Sequence, residues 1–593
     1  MVNRLEETAE VNCLLLNFSY MRGGRRTPAF LPQMGLISMA TVLDEAGIST
    51  GVIDTLYPKS SQLIDFIEKT GVKVVGFYCN FDNRFRIGHF IRLCRSRLND
   101  VVYLVGGPQA TACPEETLRA TGCDFLFMGE GEPQIVPLVR SILEGRKDHY
   151  KSPGVCYLKD DRLIKTGDPV LINDLDTIPF LNHRLVLYSE AQSTCQNIIT
   201  GRGCPYNCTF CFESLSGKSY RVRSIPHVIS EIEGLLKQGS NYLGIVDDTF
   251  VAFPKRVYDF CDALKPLRKE YDFFWFCEGR ADIFSRHPDL LPHMVQAGLA
   301  RAQIGAETGN NHILELYKKQ ITVDQVRNTV RQAVEHDLLS LFMNFIVGGP
   351  AETPETIQKS IDFACELITL APGRVDISCN FLIPYPQTEI GRHPEKFGLR
   401  ILDPEVFSCF NEEYPVVETE AMDREAIFQA YRRFDLALYQ TMLRQLTSIP
   451  FPLLRRHFEA TRYSLLTSWC ELFQDIPYVS NYFTLYLSQP MTRLADLANC
   501  REALDLIPLR TQQVYSLEKG CIKLPLGDRT SLLNRWGTVL YELAAGKLNI
   551  REIAREAGKR FGGCTPPEDV FIDHIFDFYR SLEQAYHIIF SPI

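Results

Sequence analysis

Three cysteines in the segment GRGCPYNCTFC provide the clearest chemistry in the chain. Cys204, Cys208 and Cys211 have a CxxxCxxC spacing and directly follow a predicted strand. Three thiolates on one tight loop can bind three irons of a cubane 4Fe-4S cluster and leave the fourth iron open. Zinc is the weaker alternative, because it usually takes four ligands in pairs and no partner motif lies nearby. The adjacent glycines and the aromatic Phe210 argue against a chance triplet.

The other cysteines are scattered along the chain. A total of 19 is high, and in a small secreted protein it would suggest a disulfide framework. This chain is long, however, and its N-terminal segment MVNRLEETAE lacks the basic and then apolar order of a secretory signal. We therefore expect a cytoplasmic protein in which most cysteines are small buried hydrophobic residues.

Composition and charge limit the classes of function. The 593 residues are 45% hydrophobic and 23% charged, a globular balance, and roughly 100–200 residues per domain predicts three or four domains. The 63 Lys and Arg against 72 Asp and Glu leave a net charge of −9, which gives no support to nucleic-acid binding through a basic field. No run approaches the roughly 20 apolar residues that span a bilayer, so we expect no membrane segment.

Residues 1–150 alternate short apolar runs with helical stretches. The runs predicted as buried strands are CLLLNF (13–18), STGVIDTLY (49–57), VKVVGFYCN (72–80), VVYLVGG (101–107) and FLFMGEGE (125–132). This alternation predicts an α/β domain with a parallel, doubly wound, Rossmann-like sheet. Ligands of such sheets bind outside the carboxyl ends of the strands, where glycine and polar residues collect in this sequence. The pattern indicates a nucleotide or cofactor site without naming the ligand.

The rest of the chain divides into four segments. We interpret residues 151–194 as a connector with two short strands, GVCYLK (154–159) and RLIKTG (162–167). Residues 195–395 contain about six strand–helix units, which predict a partial (β/α)6 barrel with its chemistry at the loops after the strands. Residues 396–509 are predicted to be helical and to cover the substrate site. Residues 510–593 are predicted to form a hairpin and three helices, a small winged-helix-like domain.

The cysteine loop and the segments behind it resemble the radical S-adenosylmethionine (SAM) superfamily. The segments that follow in the family's order are IVDDTF (245–250), CEGRAD (277–282), ARAQIGAETGN (300–310), FIVGGPAET (345–353) and FLIPYPQTEI (381–390). In that family the open iron binds the amino and carboxylate groups of SAM. Cleavage of SAM then yields a 5′-deoxyadenosyl radical, which takes a hydrogen atom from the substrate.

The resemblance implies roles for particular residues. The SAM-binding candidates are Phe210, Asp247, Asp248, Arg280, Glu307 and Gly348. Asp247 or Asp248 would hydrogen-bond the SAM ammonium, and Glu307 would contact the ribose. Arg280 would meet the carboxylate, and Gly348 would lie in the turn near the adenine. The resemblance covers about residues 195–390.

The first domain resembles the cobalamin-binding domain that precedes many radical SAM barrels. The resemblance rests on LPQMGLISMATVLDEAG (31–47), VIDT (52–55), VYLVGGPQAT (102–111) and the GEGE run that ends at Glu132. The motif DxHxxG is absent, so the resemblance implies base-off cobalamin without a histidine ligand. The candidate cobalamin-binding residues are Asn17, Tyr20, Cys79, Asn80, Gly106, Gly107, Pro108, Gln109, Gly129, Glu130, Gly131 and Glu132. The alternative is a vestigial sheet that binds no cofactor.

The last segment resembles the small PqqD-like peptide-recognition domain of ribosomal peptide pathways. The matching residues are LLNRWGTVLYELAAGKLNIREIA (532–554) and the closing helix. In that family the domain accepts a leader peptide along an edge strand by strand addition. The alternative is a small helical domain that simply packs on the barrel.

Together these resemblances imply a cobalamin-dependent radical SAM methyltransferase that alkylates an unactivated carbon, with a ribosomally synthesised precursor peptide as substrate. The implied electron donor is a protein such as flavodoxin or ferredoxin. Three alternatives stay open: ring formation such as cyclopropanation, a small-molecule natural-product enzyme, and a non-catalytic redox sensor that needs no SAM. No catalytic acid or base is assigned from the sequence.

Overall fold

The computed structural model divides into two compact units. The described residues are 11–18, 33–55, 59–146, 152–189, 195–215, 219–402, 414–463, 465, 467–497, 499–512, 515–526, 529–561 and 566–592. The first unit is Met1–Leu338, Phe342–Asp362 and Ser378–Phe434; the second is Leu339–Leu341, Phe363–Ile377 and Asp435–Ile593. No helix within these described ranges is long and apolar enough to cross a membrane.

An eight-stranded sheet begins the first unit. Its strands are β1 (Cys13–Phe18), β2 (Thr50–Thr55), β3 (Val74–Tyr78), β4 (Val102–Gly106), β5 (Phe125–Phe127), β6 (Val155–Lys159), β7 (Arg162–Lys165) and β8 (Val186–Ser189). The strand order is β7-β6-β5-β4-β3-β1-β2-β8. Along this order, the neighbours β5-β4-β3-β1-β2-β8 pair in parallel. The pairs β5–β6 and β6–β7 are antiparallel.

The apolar runs form this sheet because both of its faces are buried. Along β1, Leu14 and Leu16 lie in one hydrophobic core, whereas Cys13 and Leu15 lie in the other. Side chains of a strand alternate between faces, so a continuously apolar run fills two cores at once. The predicted doubly wound sheet is confirmed. The segment interpreted as a connector adds β6, β7 and β8 to its edges.

A second sheet follows in the chain. The next strands are β9 (Cys195–Ile198), β10 (Gly201–Arg202), β11 (Arg221–Val222), β12 (Tyr242–Ile245), β13 (Phe274–Gly279), β14 (Leu299–Glu307), β15 (Ser340–Val347), β16 (Val375–Phe381), β17 (Leu399–Ile401) and β18 (Val417–Thr419). Six of them form a sheet of order β16-β15-β14-β13-β12-β9, and the pairs from β9 to β14 are parallel. Strands in sequential order with helices between them match the predicted partial barrel. Two antiparallel pairs, β10–β11 and β17–β18, stand outside this sheet.

Helices cover the strands of both sheets and form much of the second unit. In chain order they are Met34–Glu45, Ser60–Thr70, Arg84–Arg95, Pro108–Ala112, Pro114–Thr121, Glu132–Leu143, Ile225–Lys237, Pro254–Glu270, Ala281–Arg286, Leu290–Gln296, Asn311–Leu316, Val323–Glu335, Pro354–Leu370, Glu389–Arg392, Arg424–Gln445, Phe451–Ala460, Ser468–Asp475, Pro477–Ser488, Arg535–Leu543, Ile550–Arg560 and Glu568–Gln584.

The C-terminal part of the second unit contains the expected hairpin and three helices. Its strands are β19 (Ile507–Arg510), β20 (Ser516–Glu518), β21 (Cys521–Leu526), β22 (Arg529–Leu532) and β23 (Ile588–Ser591). β20, β21 and β22 form an antiparallel sheet, and β19 pairs with β23. The last three helices share one hydrophobic core through Leu540, Ile553 and Ile575.

Candidate functional site

The cysteine loop lies between β10 and β11, after the carboxyl end of β9. Cys208 is buried, Cys204 and Cys211 are half-buried, and all three are free thiols. The N–H of Cys211 donates to the Cys208 carbonyl at 3.1 Å, and the N–H of Thr209 donates to the Tyr317 carbonyl at 3.0 Å. The backbone therefore fixes the segment Cys208–Cys211 at the edge of the barrel where catalytic groups collect.

Burial makes this loop unfavourable for free thiolates. It raises the pKa of Cys204 above the usual value and that of Cys211 to about 12. An iron cluster would supply the positive charge that stabilises three thiolates, so the donor set fits that group. Within the described part of the chain, no three His, Cys, Asp or Glu residues are arranged around a single metal ion. The cysteines of a cubane bind different irons and need not converge on one point.

Arg280 braces the cysteine loop from the end of β13. Its guanidinium carbon lies 3.6 Å from the centre of the Tyr206 ring. Its Nε donates to Asp282 Oδ1 at 2.9 Å, and its Nη2 donates to the Lys319 carbonyl at 2.5 Å. The side chain is buried. Arg280 is thus a buried cation beside the loop, and its contact with the SAM carboxylate stays a prediction.

Lys319 connects two of the predicted SAM-binding residues. Its Nζ donates to Glu307 Oε1 at 2.5 Å and lies 5.8 Å from the centre of the Phe210 ring. Glu307 is buried and has a φ of +62°, a left-handed conformation that strains most residues. The fold therefore places Phe210 and Glu307 around one ammonium. Lys319 was not predicted as a site residue, because no local motif in the sequence marks it.

The two aspartates after β12 have different surroundings. Asp247 accepts hydrogen bonds from the N–H and the hydroxyl of Thr200 at 2.6 Å each and from the Tyr220 hydroxyl at 3.2 Å. Burial and the nearby Asp247 raise the pKa of Asp248. Burial and Asp248 likewise raise the pKa of Glu213, which is hydrogen-bonded to Asp248. Asp247 thus ties two strand ends together, and Asp248 is the better placed of the two for a ligand.

Gly348 lies in the turn after β15 with a φ of +84°. The N–H groups of Gly348 and Gly349 donate to Glu352 Oε2 at 2.6 and 2.9 Å. Glu352 is buried, and burial raises its pKa to about 7. A side chain that the sequence analysis did not single out therefore holds the glycine turn.

A cavity of about 650 Å³ opens inside the first unit. One side is formed by the strand ends of the eight-stranded sheet. The other side is formed by Gly203, Phe212 and Glu213 of the cysteine loop and by Asp248 after β12. Its volume is in the range of cofactor sites. The two predicted cofactor regions therefore share one cavity.

Seven of the predicted cobalamin-binding residues line this cavity: Gly106, Gly107, Pro108, Gly129, Glu130, Gly131 and Glu132. Four others are not among its described lining residues: Asn17, Cys79, Asn80 and Gln109. The Nδ2 of Asn17 donates to Asp54 Oδ1 at 3.0 Å, and Cys79 and Gln109 are fully buried. Tyr20 lies outside the described residues. Asn17 and Cys79 lie at or directly after strand ends, where successive side chains point to opposite faces of the sheet.

The surface on the sheet side fits a corrinoid. Gly76 and Gly106 present no side chain to the cavity, and Leu36, Met39 and Phe127 add apolar surface. At Gly107, with a φ of +113°, an added Cβ would lie 2.7 Å from the Cys79 carbonyl oxygen, so only glycine fits. The described lining residues include no histidine. A flat macrocycle could be held here by backbone groups and apolar contacts.

Two domains are recognised in the chain. Residues 198–364 match the radical SAM superfamily, and residues 25–138 match the B12 binding domain. The protein is an enzyme with one segment similar to the radical SAM superfamily and one similar to the B12 binding domain. The enzyme's match to these two families agrees with the placement of the cysteine loop and of the glycine-rich strand ends on one cavity.

Curated relatives include methyltransferases and cyclases. The enzyme is 29% identical over 371 residues to the uncharacterized methyltransferase PH0819 of Pyrococcus horikoshii, covering 60% of this chain and 77% of that protein. It is 24% identical over 439 residues to the anaerobic magnesium-protoporphyrin IX monomethyl ester cyclase of Rubrivivax gelatinosus, covering 71% and 77%.

Solved structures share the fold at low sequence identity. The radical SAM methyltransferase TsrM from Kitasatospora setae, with cobalamin and a 4Fe-4S cluster bound, superposes with a TM-score of 0.53 at 19% identity over 66% of this chain and 77% of that one. The cobalamin-dependent radical SAM enzyme OxsB, with aqua-cobalamin and SAM bound, has a TM-score of 0.57 at 16% identity over 99% and 85%. The likeness to OxsB extends over nearly the whole chain.

Proposed function

We propose that this enzyme transfers a methyl group to an unactivated carbon with SAM and cobalamin. The observation that carries the proposal is the single cavity lined by the glycine-rich strand ends and by the cysteine loop. Group transfer between two cofactor sites needs the reactants positioned in one enclosed space. The curated relative PH0819, which is named as a methyltransferase, adds support.

When bound, the cluster and SAM would supply a 5′-deoxyadenosyl radical, and cobalamin would supply the methyl group. The residues of the chain hold and orient these groups. Cys204, Cys208 and Cys211 would bind iron, and Asp248 and Glu307 would bind the ammonium and ribose of SAM. We further propose that cobalamin binds base-off at the glycine-rich strand ends, without a histidine ligand.

The substrate we propose is a ribosomally made peptide that docks on the C-terminal small sheet. β20 is an edge strand whose three residues are all exposed, and the Leu517 side chain is 62% exposed. An edge strand offers unpaired backbone groups, so an extended leader peptide can add to it. The redox partner we propose is a flavodoxin or ferredoxin.

Ring formation is the second candidate. The cyclase relative supports it, because the same cofactors would serve both reactions. Methyl transfer consumes SAM as the methyl source and releases S-adenosylhomocysteine, whereas ring closure on an existing carbon skeleton does not. The two reactions are therefore separated by their SAM-derived products.

The test is anaerobic reconstitution with iron, sulfide and hydroxocobalamin, followed by SAM and a reductant. Bound corrinoid together with 5′-deoxyadenosine and S-adenosylhomocysteine would support methyl transfer. Deoxyadenosine without bound corrinoid would contradict it. Cys208→Ala should abolish both products, whereas Cys113→Ala, at a half-buried cysteine away from the motif, should not.

The peptide proposal is tested with variants at both edges of the small sheet. Fluorescent leader peptides from precursor genes beside the enzyme's own gene are titrated by anisotropy. Leu517→Asp on β20 should weaken binding by about tenfold or more. Leu532→Asp on the opposite edge strand β22, where Leu532 is 49% exposed, should change it little. Equal effects of the two variants would contradict docking at β20.

A further inference from the structure

Glu130 is the centre of an ion-pair network at the wall of the cavity. Its Oε1 lies 2.8 Å from Arg221 Nη2, and its Oε2 accepts from Arg221 Nη1 at 3.0 Å. Arg202 Nη1 lies 3.3 Å from the same Oε1. The N–H of Ile172 donates to Oε2 at 2.7 Å. The carboxylate thus forms a bidentate ion pair with Arg221, a second ion pair with Arg202 and a hydrogen bond with a backbone N–H.

Glu132 extends the network into the first sheet's helical layer. Its Oε1 accepts from Arg202 Nη2 at 2.6 Å and from the Ser38 hydroxyl at 2.8 Å. Ser38 is a buried residue of the helix Met34–Glu45. Arg202 therefore bridges two glutamates, and one of them is anchored to a helix of the B12-binding domain.

The four charged side chains join the two sides of the cavity. Glu130 and Glu132 follow β5 at the corrinoid side, and Arg202 and Arg221 are paired across the β10–β11 hairpin. Arg202 stands two residues before the cluster ligand Cys204. A shift of the glutamates would therefore be transmitted to the start of the cysteine loop.

Burial makes the network sensitive to small changes. The four side chains are only 7–19% exposed. Burial alone would raise the pKa of Glu130, but hydrogen bonds from Arg221 and the Ile172 N–H lower it below its usual value. Removing one partner would leave an unpaired charge with little access to water. Lysine cannot replace Arg221, because it lacks the planar fork that matches a carboxylate.

An aromatic contact joins the same two domains at another point. Phe81, in the loop after β3, lies 5.4 Å from Phe212 and 4.9 Å from Tyr385 between ring centres. Phe212 directly follows Cys211 and lines the cavity. The cysteine loop is therefore held to the B12-binding domain at both of its ends, by charge before Cys204 and by aromatic packing after Cys211.

We propose that Glu130, Glu132, Arg202 and Arg221 are positioning residues, an ion-pair clamp that sets the distance between the corrinoid and cluster sides of the cavity. Its role in methyl transfer rests on the proposed function. The clamp itself is a property of the apoprotein. The glutamates would then act through the arginines rather than as ligands of the corrinoid.

Hydrogen–deuterium exchange of the apoprotein tests the clamp without turnover. Glu130→Gln and Arg221→Lys should each speed exchange by about tenfold in residues 129–132 and also in 201–215. The matched control is Arg97→Met, which removes two exposed ion pairs within the first domain, to Asp65 and Glu68. It should leave both segments unchanged. Faster exchange in only one of the two segments would overturn the clamp.

Product ratios of the reconstituted enzyme test the role in positioning. Both variants should lower methyl transfer per deoxyadenosine by about tenfold, whereas Arg97→Met should leave this ratio unchanged. A parallel fall of both products, with normal exchange, would overturn the positioning role. If the wild-type enzyme transfers no methyl group, the proposed function fails, and the exchange experiment still decides whether the clamp exists.

Discussion

At the scale of single residues, Lys319 has the strongest consequence for the site. Its ammonium and the Glu307 carboxylate are 13% and 5% exposed. Removing one member of such a pair leaves the other charged and buried, which costs about 3–5 kcal/mol. Loss of the Lys319 ammonium would affect Glu307, which is expected to contact SAM, and Phe210 in the cysteine loop.

Lys319→Met should therefore lower SAM affinity and deoxyadenosine formation by about tenfold or more, and Lys319→Arg should recover part of both. The neighbouring Lys318→Met is the control, because Lys318 is half exposed and pairs with Glu389 at 2.6 Å. SAM binding to the reconstituted protein and product formation are measured side by side. Equal losses at the two positions would show that the ammonium of Lys319 has no special role.

Glu352 predicts a pH dependence of stability. Its pKa is raised by burial from 4.5 to about 7, so the folded protein holds a proton that the unfolded chain loses between these values. The protonated carboxyl of Glu352 contributes about 3 kcal/mol to the free energy of unfolding below about pH 4.5, and this contribution is lost as the pH rises through about 7. Glu352→Gln removes this dependence.

The free energy of unfolding in urea is measured from pH 4.5 to 8 for wild type and Glu352→Gln. The free energy of unfolding of the wild type, relative to that of Glu352→Gln, should fall steadily as the pH rises across this range. Glu355→Gln, at an exposed carboxylate three residues on, should run parallel to wild type. Parallel curves for Glu352→Gln as well would contradict a proton held by Glu352.

At the scale of elements, the glycine turn after β4 is the feature most specific to the corrinoid side. Gly107→Ala would place a Cβ 2.7 Å from the Cys79 carbonyl oxygen at a φ of +113°. The turn must shift, so stability should fall by about 1–3 kcal/mol and hydroxocobalamin binding should weaken. Gly122→Ala is the control, because Gly122 also has a positive φ, +67°, but nothing lies within 4 Å of the added Cβ.

Corrinoid bound to the purified variants is quantified by absorbance, and unfolding is followed in urea. Gly122→Ala should lose stability but bind hydroxocobalamin as the wild type does. A Gly107→Ala protein that loses stability but binds hydroxocobalamin as wild type does would show that this turn is structural and not part of the corrinoid site.

The elements themselves were largely predictable from the sequence. Continuously apolar runs predicted β1 to β5, because strands buried on both faces need apolar residues at every position. The short strands β6 and β7 were predicted within the connector, but their pairing onto the edge of the first sheet was not. The strand β8 was not predicted, since its side chains are half-buried and carry a weaker pattern. The direction of each side chain at a strand end could not be predicted either. Tyr78 lines the cavity, whereas the next residue, Cys79, lies in the core. Contacts between distant segments, such as Lys319 with Glu307 or Arg221 with Glu130, leave no local signal.

At the scale of the whole first unit, the shared cavity predicts that its two sides respond together. Hydroxocobalamin should bury the strand ends directly. Because Gly203, Phe212 and Glu213 line the same space, the bound corrinoid should also shield the cysteine loop from solvent or restrict its opening.

Hydrogen exchange of the apoprotein with and without hydroxocobalamin checks this response. Exchange should slow in residues 106–111 and 129–132 and, by about threefold or more, in 203–213. The helix Pro254–Glu270 has no residue on the cavity and should exchange at the same rate in both states. Protection of the strand ends alone would mean that the corrinoid and the cysteine loop occupy separate spaces, and the cavity would no longer support direct transfer between them.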